Sequence, residues 1–281
     1  MTSGASNRRR LDTTLVQRGL VRSRHRAQQL VAAGAVTVDG QVATKPAAPV
    51  GPQSHIMVAD AIPYVSRGGL KLAAALDRFG VDVRGLEVAD VGASTGGFTD
   101  CMLQRGAAHV YAIDVGHGQL AERLRHDTRV SAMEDTDIRQ VRALPRAAHL
   151  AVVDVAFISL RQVLPAVVRL LRAGGQVIAL VKPQFEVGPA GLDSRGVVRD
   201  TDARSRVLEQ TLAWLAGQGW RVLGCTESPI AGEHGNVEYL VYFTTAAGED
   251  TTPPASGCAG GQALSRRPGA APLGVVGRRP S

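Results

Sequence analysis

The sequence has 281 residues, which is enough for one core of ordinary size and a small additional domain. No apolar run approaches the roughly 18 to 20 residues needed to cross a bilayer, and the N-terminus lacks the apolar core of a secretory signal. The sequence therefore argues against a membrane protein or a secreted protein and predicts a cytoplasmic one. The formal charge of +7 is unevenly distributed, because residues 1–60 hold eight basic and three acidic residues whereas residues 61–245 hold twenty of each. A basic N-terminal segment before a neutral remainder indicates an anionic partner such as nucleic acid.

Two helices and a hairpin are predicted at the start of the chain. An apolar stripe ended by Gly19 predicts the first helix, and Ser23 is expected to cap a second helix that ends at Gly34. The segment VTVDGQV, residues 36–42, alternates valines about an Asp-Gly turn and predicts a hairpin. Basic side chains gather around the start of the second helix, where they suit docking onto phosphates. The candidate nucleic-acid contacts are Arg8, Arg10, Arg18, Arg22, Arg24, Arg26 and Lys45.

A passage with four prolines between residues 46 and 63 indicates loops and leads to a further helix. Ser66 is expected to cap this helix. Leu76 and Phe79 lie on one of its faces before Gly80 ends it.

From residue 86 onward, apolar strand-like runs alternate with helical runs. The predicted strands are 86–91, 109–114, 129–132, 150–154, 176–182, 220–226 and 237–244, and the predicted helices are 97–106, 117–126, 160–172 and 201–217. This alternation predicts an α/β fold with a doubly wound, mainly parallel seven-stranded sheet, whose ligand lies at the carboxyl ends of the strands. We therefore expect domains at residues 1–60 and 66–245, a linker at residues 61–65 and a disordered tail at residues 246–281.

The segment DVGASTGGFT, residues 90–99, follows the first strand of this sheet and opens its first helix. Its glycines let the backbone approach a ligand closely, and the helix N-terminus offers free N–H groups, so we expect a cofactor here. Asp114, which closes the second strand, suits a ribose diol. NAD and S-adenosylmethionine both carry a ribose diol, so the residues alone leave the choice between them open.

The same segment also allows a different enzyme class. Residues 92–96 read GASTG, which matches the G-x-S-x-G nucleophile elbow of α/β-hydrolases, and Asp154 and His234 follow in the chain order of a hydrolase triad. Two features count against this reading. A nucleophile elbow normally follows several strands of its sheet, and no HGGG-like oxyanion segment appears.

Charged side chains stand where two predicted strands end, at Asp154 and Lys182. Lys71 lies in the helix that leads into the sheet and Glu238 in the last predicted strand, so we expect all four side chains to meet over the crevice beside the glycine turn. Ordinary capping or ion-pair roles are the alternative for each of them. The chain has 29 arginines but three lysines, and lysine, unlike arginine, is able to lose its proton in a protein. Lys182 is therefore a candidate for proton transfer.

Six motifs in order along residues 8–245 carry a resemblance to one protein family. They are RLDTTLVQRGLVRSRHRAQQLVAAGAVTVDG, VSRGGLKL, DVGASTGGFTD, DVAFISL, VKPQFEVG and GNVEY. The chain resembles the TlyA (haemolysin A-like) ribosomal RNA 2′-O-methyltransferases. The resemblance implies an S-four type RNA-binding domain followed by an FtsJ-like class I, Rossmann-like methyltransferase domain. It also implies S-adenosylmethionine as the cofactor and a cytidine ribose in small- or large-subunit ribosomal RNA, or in both, as the substrate.

The resemblance also implies roles for individual residues. The family's tetrad corresponds to Lys71, Asp154, Lys182 and Glu238. Lys182 is expected to take the ribose proton or stabilise the alkoxide, with Lys71 as a neighbouring cation that favours its neutral form. Glu238 would orient the lysines, and Asp154 would orient Lys182 and face the sulfonium. The implied cofactor contacts are Gly92, Ala93, Ser94, Thr95, Gly96, Gly97, Phe98, Asp114, Val115 and Asp137, with Asp135 competing with Asp137 for the position near the adenine.

Some implications concern what else the protein uses. We expect no metal, because the reactive group is the cofactor's methyl. Ala156 stands where the family usually has serine, which leaves any hydroxyl contact there open. The oligomeric state is open, with a monomer expected. Two non-enzymatic functions also remain: an RNA-binding protein with an inactive cofactor pocket, which a complete tetrad argues against, and a haemolysin, although no long amphipathic segment appears.

Overall fold

The computed structural model describes residues 8–32, 34–39, 41–58 and 63–245, in which two groups of elements follow one another. The first group comprises β1 (Arg9–Arg10), α1 (Leu11–Gln17), α2 (Arg24–Ala32), β2 (Val36–Val38), β3 (Gln41–Val42), β4 (Pro49–Val50) and β5 (Ile56–Val58). The second comprises α3 (Gly68–Phe79), β6 (Glu87–Val91), α4 (Gly97–Gln104), β7 (His109–Ile113), α5 (Glu122–Arg125), β8 (Val130–Met133), β9 (Ala148–Val153), α6 (Leu160–Val168), β10 (Leu171–Val181), α7 (Thr201–Gly217), β11 (Arg221–Glu227) and β12 (Tyr239–Thr244). Residues 61 and 62 of the predicted linker and the whole predicted tail lie outside the described residues.

The first group packs around its own small apolar core. Leu11 and Leu15 of α1 are fully buried there, against Ala27 and Val31 of α2. The hydroxyl of Ser23 accepts a hydrogen bond from the N–H of Arg26 at 3.1 Å, which confirms the predicted cap. The two predicted helices and the strands of the predicted hairpin are also confirmed.

The second group is built on a seven-stranded sheet with the strand order β11-β12-β10-β9-β6-β7-β8. The five strands from β10 to β8 pair in parallel, and β12 pairs antiparallel with both β10 and β11. The predicted α/β class and mainly parallel sheet are therefore confirmed. Strands β7 and β8 lie on one side of β6, and β9 and β10 lie on its other side. The strand order thus reverses at β6, and such a reversal opens a crevice at the carboxyl ends of the strands.

Helices cover both faces of this sheet. Successive residues of a strand point to opposite faces, so Val88 of β6 packs with Leu72 of α3 and Met102 of α4, whereas Ala89 packs with Leu164 of α6. All five of these side chains are fully buried. The strand ends that face the crevice are therefore held by packing on both sides.

Two predicted helices differ from the structure. The helix expected at 117–126 is reduced to α5, because the Glu134 carboxylate accepts the N–H groups of Gln119 and Leu120 and holds the preceding residues in a loop. The helix expected at 160–172 ends at Val168, because Leu171 already pairs with Ala148 of β9. Strand β10 consequently begins five residues earlier than predicted.

The predicted cap of α3 was wrong. Arg67 is the first flanking residue of this helix and has no side-chain cap. The hydroxyl of Ser66 instead lies against Gly97 of α4, so close that a Cβ atom on Gly97 would stand 2.1 Å from it. The end of α3 was predicted correctly, since Gly80 adopts the left-handed conformation with φ +66°.

Candidate active site

The glycine segment between β6 and α4 forms a cradle with no room for side chains at three of its positions, Gly92, Gly96 and Gly97. Gly92 has φ +82°, and a Cβ atom there would lie 2.4 Å from the carbonyl oxygen of Asp154. Gly97 is similarly closed off by Ser66. Gly96 has φ +93° and faces Leu124, away from the cavities that the segment lines. The backbone of the segment is thus exposed to a ligand on one side and packed on the other.

A cavity of about 310 Å³ lies beside this cradle. Its walls include Lys71, Asp154 and Lys182, together with the predicted contacts Ala93, Thr95 and Phe98. Gly92, Ser94 and Gly97 also line it. Three of the four predicted catalytic residues therefore meet most of the predicted cradle contacts at the carboxyl ends of β6, β9 and β10, whereas Glu238 and Gly96 do not line this cavity.

Two ion pairs are formed by the predicted tetrad. The Nζ atom of Lys182, directly after β10, lies 2.6 Å from Oδ1 of Asp154, directly after β9. The Nζ atom of Lys71, on α3, lies 2.5 Å from Oε2 of Glu238, directly before β12. Solvent reaches 13% and 21% of the side chains in the first pair but only 10% and 2% in the second. The Lys182–Asp154 pair is thus the one that is more open to the cavity.

The residues that follow Lys182 hold the strand ends of the site in place. Pro183 begins a short 3-10 turn directly after Lys182, as expected for a residue that cannot continue the sheet, and the Phe185 ring lies 5.8 Å from the lysine Nζ atom. The carboxylate of Glu186 accepts the hydroxyl proton of Ser159 at 2.7 Å and the N–H of Leu160 at 2.9 Å. These contacts join the segment after β10 to the segment after β9.

A second cavity of about 520 Å³ continues from the first, with Gly92, Ser94, Asp154 and Ala156 lining both. Asp114 lies on its wall, and its two carboxylate oxygens accept the N–H groups of Ser94 and Gly116, each at 2.7 Å. Apolar side chains complete the wall, namely Val91, Ile113, Val115, Ile138, Val155, Phe157, Ile158 and Val163. A carboxylate beside an apolar slot is an arrangement that suits a ribose joined to a base.

The structure separates the two aspartates that competed for one role. Asp137 lines the second cavity, and its carboxylate is bonded to Arg139, which holds the pKa of that carboxyl below its ordinary value. Asp135 is bonded to His117 at 2.7 Å, and its side chain is 65% exposed. Of the two, Asp137 is therefore the one that faces the cavity.

A buried carboxyl to which the sequence analysis assigned no role, Asp90, lies in β6 two residues before Gly92 of the cradle. Asp90 of β6 is fully buried; one of its oxygens accepts the Thr99 hydroxyl proton at 2.6 Å, and the other has no hydrogen-bond partner among the described residues. Burial, aided by the nearby carboxylates of Asp154 and Asp114, raises the pKa of Asp90 to about 7. The glycine cradle follows directly after the strand that carries this carboxyl.

Several lining residues were missed by sequence reasoning. Arg67 lines the first cavity and donates a hydrogen bond to the carbonyl oxygen of Ala231 at 2.5 Å, and Phe157, 87% exposed with φ +63°, stands at the edge of the second. Both lie within motifs that carry the family resemblance, which is the signal that could have found them. The hydrolase reading gains no support, because Ser94 donates to Gln119 at 3.1 Å and Asp154 is paired with Lys182.

The seven basic residues predicted to contact nucleic acid differ in their surroundings. Arg8, Arg22, Arg26 and Lys45 are exposed. Arg18 instead donates to three carbonyl oxygens of the turn between β4 and β5, those of residues 51, 52 and 54. Arg10 and Arg24 are half-exposed and are both bonded to Asp12.

Comparisons with known proteins agree with this architecture. A family model described as FtsJ-like methyltransferase matches residues 64–245, and a model described as S4 domain matches residues 9–56. The 16S/23S rRNA (cytidine-2'-O)-methyltransferase TlyA of Mycobacterium tuberculosis is 44% identical over 244 residues, which cover 85% of this chain and 91% of that protein. Hemolysin A of Brachyspira hyodysenteriae is 39% identical over 237 residues, which cover 83% of this chain and 99% of that protein. A solved structure from Streptococcus thermophilus that carries a hemolysin name superposes with a TM-score of 0.67 at 39% identity, covering 90% of this chain and 91% of that one.

Proposed function

Because the chain belongs to the FtsJ-like methyltransferase family, we propose that it transfers a methyl group from S-adenosylmethionine to the 2′-hydroxyl of a cytidine in ribosomal RNA. The chain is an enzyme of the methyltransferase class. One observation carries the choice of reaction. Two lysine–carboxylate pairs stand beside a cavity that continues into a slot suited to a nucleoside.

The residues of the cradle fit the proposed cofactor. Gly92 and Gly97 are packed against Asp154 and Ser66 on one side, and on the other they line the first cavity without a side chain, which suits a ligand lying directly on the backbone. Asp114 would accept the ribose hydroxyls, and Asp137 would lie near the base. When bound, S-adenosylmethionine supplies a methyl group made electrophilic by its sulfonium. The bound molecule would lie along both cavities, with its reactive end on the Lys71 and Lys182 side.

The role proposed for Lys182 is to manage the proton of the attacking hydroxyl. A ribose hydroxyl holds its proton strongly at neutral pH, so attack needs a group that takes the proton or stabilises the developing alkoxide. A neutral Lys182 amine does the first and a charged one does the second. Asp154 fixes the position of the Lys182 Nζ atom through the 2.6 Å contact, so the entropic cost of orienting the amine is met before the substrate arrives.

Lys71 and Glu238 support that centre from a more buried position. Their 2.5 Å pair places a second cation on the wall of the cavity that Lys182 lines, with Glu238 behind it. A Cβ atom on Gly232 would lie 2.0 Å from a carboxylate oxygen of Glu238, so the chain closes over this carboxylate. We assign Lys71 to the stabilisation of negative charge on the attacking oxygen and Glu238 to the placement of Lys71.

The proposed substrate is supported by the N-terminal domain. Its match to the S4 domain model and its excess of basic residues suit RNA, whose phosphates give binding that weakens steeply with salt. We propose that the protein acts in the cytoplasm, where ribosomal subunits are found. Residues 1–60 and 66–245 remain the proposed domain boundaries.

The test is a methylation assay with separated ribosomal subunits. Tritiated S-adenosylmethionine is incubated with the protein and small or large subunits, and the labelled ribose is mapped. Lys182→Ala and Lys182→Arg are expected to bind S-adenosylmethionine normally by calorimetry yet lose methyl transfer, because guanidinium neither loses its proton nor matches the amine in shape. Arg172→Ala is the control, since Arg172 is exposed at the opposite end of β10. Near-normal turnover by Lys182→Ala would rule out the assigned role.

A second candidate function comes from the hemolysin names of two similar proteins. Among the described residues, no helix is both long enough and apolar enough to span a membrane. Leakage of dye from liposomes, measured with the same preparation that is assayed for methylation, separates a cytolysin from an enzyme. Calorimetry with S-adenosylmethionine separates a live cofactor pocket from an inactive one in an RNA-binding protein.

A further inference from the structure

A buried aspartate of the N-terminal domain pairs with two of its basic residues, Arg10 and Arg24. Asp12 of α1 is fully buried, although a carboxylate is seldom buried unless it is paired. Its oxygens accept hydrogen bonds from Arg10 at 2.9 and 3.0 Å, from Arg24 at 3.0 Å, from Gln28 at 3.3 Å and from the N–H of Thr13 at 2.8 Å. Hydrogen bonds from Arg10, then from Arg24 and Gln28, hold the pKa of the Asp12 carboxyl well below its ordinary value, against the effect of burial.

Asp12 brings two like charges together at the surface. The Arg10 and Arg24 guanidinium groups both donate to the same oxygen, Oδ2 of Asp12, and their side chains remain 50% and 56% exposed. Each guanidinium has five N–H donors, of which Arg10 uses one at Nε and one at Nη2 and Arg24 uses one at Nη2 for this carboxylate. Among the residues that the structure describes, these groups donate to nothing else, so donors are left over on two adjacent, oriented guanidinium groups beside the start of α2.

We propose that Asp12 is a positioning residue that holds Arg10 and Arg24 as a two-pronged clamp for one phosphodiester group of the RNA. This inference rests on the proposed RNA substrate and deepens it. Planar guanidinium groups bind phosphate oxygens with two parallel hydrogen bonds each, provided that they are correctly oriented. Long flexible side chains lose conformational freedom on binding, and the contacts with Asp12 remove much of that freedom beforehand.

The clamp predicts an effect opposite in sign to that of overall charge. Asp12→Asn removes a negative charge from a basic domain, so charge alone predicts tighter RNA binding at low salt. The clamp predicts weaker binding, by about five-fold, because Arg10 and Arg24 lose the carboxylate that orients them. The slope of log affinity against log salt is expected to become shallower by about one, since one phosphate contact is lost.

The experiment uses the full chain and purified small and large ribosomal subunits as probes. Dissociation constants are measured by filter binding between 50 and 300 mM KCl for the wild type, Asp12→Asn and Arg24→Lys. Arg24→Lys keeps the charge and replaces a half-exposed side chain, so it tests the planar fork without removing the buried carboxylate. Arg9→Lys is the control, because Arg9 lies next to Arg10 in β1 but donates to Gln17.

Further readouts separate positioning from folding. Thermal melts by circular dichroism establish that each variant is folded, and steady-state methylation is expected to show a raised KM for the subunits with an unchanged kcat. Arg24→Lys is expected to bind about three-fold more weakly than the wild type, and Arg9→Lys is expected to match it. In the Asp12→Asn background, Arg24→Lys is expected to cause no further loss, because the clamp is already open.

The outcomes distinguish this inference from the proposed function. A wild-type protein that binds neither subunit contradicts the RNA substrate itself. A wild type that binds, with a folded Asp12→Asn variant that binds equally well or better, overturns the clamp alone. Equal affinities for Arg24→Lys and the wild type also overturn it, whatever the folding behaviour of Asp12→Asn.

Discussion

Replacing Lys71 with methionine is expected to destabilise the methyltransferase domain by about 3 to 5 kcal/mol, because the Glu238 carboxylate is left buried without its partner. The two side chains are only 10% and 2% exposed and their charged atoms are 2.5 Å apart, so water replaces little of the lost interaction. Methionine has nearly the length and apolar volume of the lysine stem, so the cavity left behind contributes little. For a domain of this size, about 2 to 4 °C of unfolding midpoint per kcal/mol gives a fall of roughly 6 to 20 °C.

Urea unfolding followed by tryptophan fluorescence measures this change. Trp214 and Trp220, the two tryptophans of the chain, pack edge to face in the methyltransferase domain, so the signal reports that domain. The double variant Lys71→Met with Glu238→Leu is expected to recover most of the lost stability, because it removes both charges, while remaining inactive.

A matched control is available at the surface. Arg84→Met breaks an ion pair with Asp82 whose side chains are 79% and 58% exposed, and its cost is expected to stay below about 1 kcal/mol. The reasoning is refuted if Lys71→Met costs no more than this control. It is equally refuted if the double variant is no more stable than Lys71→Met alone.

Two further predictions concern the glycine cradle and the carboxyl beneath it. Gly92→Ala forces alanine into the left-handed conformation and brings its Cβ atom to 2.4 Å from the Asp154 carbonyl oxygen. Calorimetry should therefore show that S-adenosylmethionine binds at least ten-fold more weakly, with the binding of ribosomal subunits unchanged. A loss of affinity of less than two-fold would contradict this. The Asp90 carboxyl has a pKa of about 7 in the folded state, whereas in the unfolded chain it loses its proton near the ordinary value of 3.8. The free energy of unfolding that Asp90 contributes therefore falls as the pH rises from about 4 to about 7. Asp90→Asn does not ionise, so its melting temperature relative to the wild type should rise across that window in differential scanning fluorimetry, and parallel curves would count against the assignment.

The strand ends of the site could be predicted from the sequence because they depend on local patterns. Asp154 and Lys182 each follow an apolar run, and neighbouring parallel strands end at the same edge of a sheet, which is enough to bring these two side chains together. The partner of Lys71 was harder to foresee. Glu238 was expected to orient both lysines, whereas it bonds Lys71, 167 residues earlier in the chain, and the two are brought together by the packing of α3 on the sheet.

Loops were predicted less well because side chains far along the chain decide their shape. The residues after β7 have a helical pattern, but Asp114 accepts the N–H of Gly116 and Glu134 accepts the N–H of Gln119, and these bonds keep the segment irregular. A carboxylate that competes for backbone donors leaves no trace in hydrophobic periodicity. Ser66 was mispredicted for the same reason, because a contact with Gly97, which is distant in the sequence, places its hydroxyl away from the start of α3.

The position of β12 has a consequence for the order in which the protein becomes functional during translation. This strand is the last one of the described residues, yet it lies between β10 and β11, and it is preceded directly by the carboxylate that pairs with Lys71. Chains emerge from the ribosome N-terminus first. The RNA-binding domain and the cofactor cradle are therefore complete while β11 still has no neighbour in the sheet and the second ion pair has no acid. The second ion pair and the pairing of β11 thus have to wait until residues 238–244 have left the ribosome, long after the domain that matches the S4 model and the glycine segment have emerged.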